Sequence, residues 1–93
     1  MNLLHVDAHF DRLLTARDYP KTVCPSEVAR AMSAEELCDN GATSWRDLMS
    51  AIREYTFDLR DQDKVEILQK GNVLPRTQGL KDTAGPIRVR KAQ

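Results

Sequence analysis

The sequence predicts a mainly α-helical domain closed by a small antiparallel β-hairpin. Three observations carry this expectation. Three segments before Asp61 place apolar residues at three- and four-residue spacing. After Asp61 the spacing changes to alternation, and glycine and proline collect between the two alternating stretches. With 93 residues there is room for one core, so residues 1–93 are expected to form a single domain.

The first helix is marked by Val6, Phe10, Leu13 and Leu14, with Leu3 upstream and Asp7, Asp11 and Asp18 toward the other side. Asp18-Tyr19-Pro20 stops it, because a residue before proline is driven out of the helical region. A second helix begins at Pro25, where a missing N–H costs nothing, and Glu27 complements its dipole. Val28, Ala31 and Met32 form its apolar face, with Val23 just ahead. Ser33-Ala34-Glu35-Glu36 has capping-box spacing and predicts a short helical turn before Asp39-Asn40-Gly41. The third long helix is capped by Ser44 and holds Trp45, Leu48, Met49, Ile52, Tyr55, Thr56 and Leu59 on one face, ending near Arg60 or Asp61. Trp45, its largest apolar side chain, is the expected packing centre.

Val65 and Ile67 alternate with Glu66 and lead into a turn at Lys70-Gly71-Asn72. Residues 71–86 read as a polar loop with a short strand at Val73-Leu74, and Ile87 and Val89 alternate with Arg88 and Arg90 on the returning strand. Three helices followed by a hairpin is the order of a winged helix-turn-helix domain, with 71–86 as the wing loop.

Three blocks carry a family resemblance: Pro25-Ser26-Glu27-Val28-Ala29-Arg30, Trp45-Arg46-Asp47-Leu48-Met49 followed by Arg53, and Gly85-Pro86-Ile87-Arg88-Val89-Arg90. They resemble the signature blocks of a small bacterial family classed only as a domain of unknown function. The resemblance spans roughly residues 5–91 and implies a winged-helix fold. It implies no activity, substrate or catalytic residue.

Composition narrows the function. Lys plus Arg and Asp plus Glu each number 14, which argues against polybasic binding by bulk charge. The charge is nonetheless uneven: residues 1–43 carry a net −3, residues 44–60 balance, and residues 61–93 carry a net +3. An apolar fraction of 41% with 30% charged residues suits a soluble folded chain. No apolar run approaches the roughly 18 residues of a membrane span. Two cysteines and no secretory signal point to a reducing cytoplasm.

The leading expectation is a DNA-binding or DNA-associated module of modest affinity. Arg46, Ser50 and Arg53 would contact duplex DNA from the third helix, and Lys70, Arg76, Lys81, Arg88 and Arg90 from the wing. Arg46, Arg53 and Arg60 form a stripe along one helix flank, while Asp47, Glu54 and Asp58 on the outer face would oppose phosphates. For these basic groups the plainer readings are solvated ion pairing on the helix and edge-strand protection in the hairpin. The rival function is a protein-interaction module that keeps the fold. Phe57 lies off the core stripe, either packing under a neighbouring segment or marking an exposed spot for a protein partner or a second copy.

Cys24 stands at the expected start of the second helix, where a thiolate would be favoured, although a small structural thiol is the plainer reading. His5 and His9 sit one turn apart, but with Cys24 and Cys38 they make no standard zinc spacing, so no metal is expected. No Gly-rich phosphate loop or catalytic grouping stands out, and neither an enzyme nor a cofactor is expected.

Overall fold

Val6, Phe10 and Leu14 are buried along one face of the first helix, α1 (Val6–Thr15), as their spacing requires. The computed structural model describes residues 3–92. α2 (Pro25–Arg30) starts at its proline, with Cys24 as N-cap and Glu27 bonded back to the Cys24 N–H. α3 (Ala34–Asp39) is the short helix expected after Ser33: Ser33 Oγ accepts from Glu36 N, and Glu36 returns the bond to Ser33 N. Asn40 ties the end of α3 to the start of α1, accepting from Leu4 N and donating to Leu4 O.

The third long helix differs at its beginning. Residues Trp45–Leu48 form a tight 3-10 turn, and the α-helix proper, α4, runs Met49–Asp61. The Asp47 carboxylate accepts from Thr43 N, Thr43 Oγ1 and Ser44 N. Thr56 is fully buried and returns its hydroxyl to Ile52 O, so it packs without an orphaned group.

β1 (Val65–Gln69) is the centre of an antiparallel sheet of order β2-β1-β3, with β2 at Asn72–Val73 and β3 at Arg88–Lys91. Val23 bridges to Val89 on the far side of β3, pairing the α1–α2 connection to the sheet. Gln69 faces Asn72 across Lys70-Gly71, whose φ values of 50° and 82° make the two-residue turn of a tight hairpin. Space around Gly71 is open, so its requirement is backbone freedom alone. Gly71→Ala is expected to cost about 1 kcal/mol in urea unfolding through its left-handed backbone, with no change in contacts.

Two apolar clusters result. The larger joins α1, α2, α4 and the sheet through residues such as Phe10, Val28, Ile52 and Val89. The second is Phe57, Ile67 and Ile87, with Leu74 and Leu80 packed against them. One expectation changes here, and one of two open alternatives is borne out. Trp45 is only partly buried and lies at the margin of the larger cluster, whose centre falls among fully buried Phe10, Ile52 and Val28. Phe57 is buried at 4% exposure and offers no surface to a partner. The reason is the long connection 74–87, which contains a 3-10 turn at Leu80–Asp82 and folds back on α4 to cover that ring.

Candidate nucleic-acid interface

Arg46 is exposed, with its guanidinium 4.6 Å from the centre of the Trp45 ring. Arg30, at the end of α2, approaches the same ring at 5.6 Å. An indole ring attracts cations, so one tryptophan gathers two positive groups that would otherwise repel. Packing of α2 against the 3-10 turn before α4 brings these two arginines together.

Arg30 also borders a shallow depression of about 730 Å³ that extends across the start of α2 to β3. Lys21 and Arg88 line it as well, and both are exposed. Arg88 Nε donates to Thr22 Oγ1 at 2.8 Å and Nη2 to Thr22 O at 3.3 Å. Arg30 Nε and Nη2 each lie 3.3 Å from Ser26, donating to its carbonyl and hydroxyl. Arg17 lines the same hollow but forms a bidentate pair with Glu27, at 2.9 and 2.7 Å. That guanidinium holds the Glu27 carboxyl at about 2, against the opposing effect of burial and with help from the Cys24 N–H. Lys21, Arg30, Arg46 and Arg88 therefore form one band of exposed positive charge.

Of the positions expected to bind nucleic acid, the structure brings only Arg46 and Arg88 to this band. Ser50 is exposed on the first turn of α4. Lys70 stands on the hairpin turn and Lys81 on the 3-10 turn of the connection, both exposed. Three others stand apart from this band and make other contacts. Arg53 donates to Gly85 O at 3.1 Å and Thr83 O at 3.3 Å, fastening the connection to α4. Arg76, still exposed, donates to Arg60 O and Asp61 O and pairs with the Asp63 carboxylate. Arg90 pairs with Glu66 at 2.8 Å and stacks 4.7 Å from the Tyr19 ring. Arg60, of the expected helix stripe, is buried over Phe57 and donates to Gln78 O, Arg76 O and Asp61.

Sequence reasoning missed Lys21 and Arg30. The available signal was Ser26 and Arg30 at an i, i+4 spacing, which sets the arginine against its own helix. The acidic groups gather elsewhere. Asp7, Glu54 and Asp58 border a depression of about 370 Å³ beside Tyr55. Burial raises the Tyr55 pKa, and Asp7 and Asp11 push it the same way.

The histidines serve the α1–α3 junction. His5 Nε2 lies 2.9 Å from Asp39 Oδ2, and His9 Nε2 lies 2.9 Å from Glu36 Oε1. Arg12 donates to His9 Nδ1, so Nε2 carries the proton given to Glu36. Among the described residues no group of three or more His, Cys, Asp or Glu side chains gathers to hold a metal ion. Cys24 is partly buried and Cys38 exposed, both as free thiols.

Residues 4–92 match the family described as protein of unknown function (DUF3253). The chain belongs to this family. The match runs from before α1 through β3, so the basic band and the folded connection both lie within the DUF3253 region. No curated protein matches the chain. Among the described residues no helix is long and apolar enough to cross a membrane.

Proposed function

We propose that the chain is a cytoplasmic, DNA-associated module of winged helix-turn-helix type that grips the phosphate backbone of a duplex and catalyses no reaction. The observation that carries this reading is the band of Lys21, Arg30, Arg46 and Arg88, continuous through the Trp45 ring and the depression beside α2. Backbone contacts give affinity and position without base selection. Glu54 and Asp58 are exposed farther along α4 and disfavour laying that helix full length in a groove. Only its beginning, with Arg46 and Ser50, approaches the duplex. The wing contributes Arg88 from β3, while Arg53, Arg76 and Arg90 hold the fold.

Fluorescence anisotropy with a labelled random-sequence duplex tests this directly. Four phosphate contacts predict a slope of log affinity against log salt of about −3.6. Replacing both Arg46 and Arg88 by Ala should reduce that slope to about −1.8. Arg90→Ala should leave the slope near the parent value, because Glu66 already occupies that guanidinium. No salt-dependent binding at low ionic strength would refute the reading.

A protein-interaction reading has separate support in the acidic depression beside Tyr55, which fits a basic partner surface. It no longer involves Phe57.

A further inference from the structure

We infer that the depression between α2 and β3 is a seat for a single phosphate group, held by Lys21, Arg30 and Arg88. This rests on the backbone-binding reading only for the source of the phosphate, and its geometry stands independently.

The decisive feature is how the two arginines are held. Arg30 is bonded to the carbonyl and hydroxyl of Ser26, and Arg88 to the hydroxyl and carbonyl of Thr22. All four acceptors are uncharged. Neither guanidinium hydrogen-bonds a carboxylate, although Arg88 lies near enough to Glu27 to help lower its pKa, and the Nη1 of each lies outside these bonds. This contrasts with Arg76 and Arg90, which meet carboxylates. The carboxylate lining the depression, Glu27, is already engaged by Arg17 and the Cys24 N–H. With Arg17 and Glu27 cancelling, Lys21, Arg30 and Arg88 leave three positive charges around an open hollow.

A tetrahedral phosphate anion suits such a hollow. Guanidinium groups give directed bonds to phosphate oxygens, and a lysine adds a mobile point charge. Because Thr22 and Ser26 pre-orient both arginines, less side-chain freedom is lost on binding than for free surface cations. The ligand chemistry is a phosphate monoester or diester, supplied by a duplex backbone or by a free phosphorylated compound.

The test titrates the full chain with inorganic phosphate at constant ionic strength, chloride being exchanged for phosphate, and follows arginine Nε–H and backbone amide NMR signals. Saturable shifts are expected at Arg30, Arg88 and the residues around Thr22 and Ser26, with a dissociation constant of about 1 mM. Arg30→Gln combined with Arg88→Gln should weaken binding by about tenfold or more. The Arg90 signal should stay still. These arginines are exposed, so an unchanged amide spectrum elsewhere in the double variant verifies its fold. Absence of saturable shifts in the parent chain, or equal binding by the folded double variant, overturns the seat.

A duplex arm separates this result from the broader reading. Saturable phosphate binding that also displaces duplex identifies the backbone as the source. Phosphate binding in a chain that shows no duplex affinity keeps the seat, assigns it to a free phosphorylated compound, and defeats the DNA reading. Duplex binding with no phosphate shifts defeats the seat alone.

Discussion

Replacing Phe57 by Asp is expected to abolish the cooperative fold. The ring is 4% exposed and packs with Ile67, Ile87, Leu74 and Leu80 beneath the folded connection. Removing a buried phenylalanine side chain costs about 3–5 kcal/mol, and a carboxylate placed there adds its own desolvation. Arg60, 4.8 Å from the ring centre, does not rescue the charge at little cost, because its donors hold Gln78 O, Arg76 O and Asp61. Turning them to the new carboxylate would release the connection. Total stability in a domain of this size is about 5–15 kcal/mol, so the loss reaches much of it. Urea unfolding followed by circular dichroism should show no native baseline for Phe57→Asp. Phe57→Leu, which keeps the site apolar, should fold with a loss of about 1–2 kcal/mol. A parental midpoint for Phe57→Asp would contradict the burial described above.

The second large effect is the acid limb of the stability curve. Glu27 has its folded pKa lowered from 4.5 to about 2, chiefly by the Arg17 pair. A lowered carboxyl pKa contributes stability that is complete above the unfolded value and is lost as pH falls through the folded one. Stability from this pair should therefore be full above about pH 4.5 and decline toward pH 2. With the Glu27 side chain 28% exposed, solvent screening limits its contribution to about 1–2 kcal/mol. Glu27→Gln should lower the neutral-pH urea midpoint and flatten the decline. Glu36, also held at about 2 by the Ser33 N–H and then His9, keeps part of that slope in the variant. An unaltered acid limb in Glu27→Gln would show that the pair is not stabilising.

The readable parts of the sequence were those governed by near neighbours. The spacing of Val6, Phe10 and Leu14, the proline opening α2 and the Ser33–Glu36 cap all act within a few residues. Alternation of Ile87, Arg88 and Val89 likewise set which side chains face the core, and Ile87 and Val89 are buried. What was not readable depends on distant chain. Arg53 reaches carbonyls 30 and 32 positions away, and Arg60 one 18 positions away. Nothing local distinguishes these arginines from exposed Arg46. The folded connection buries Phe57 for the same reason. Counting charge by segment also concealed the basic band, because the net-acidic first stretch contains Lys21 and Arg30, while its Asp7 and Asp11 lie near Tyr55.

The arginine bonds that hold residues 76–85 against α4 end mainly on main-chain oxygens. An anchor that grips the peptide skeleton is indifferent to most of what projects from it. The outward side chains of Thr77, Lys81 and Ala84 are thereby free to be exchanged while the strap stays in place. The strap is thus held by its backbone and leaves its outer side chains to solvent.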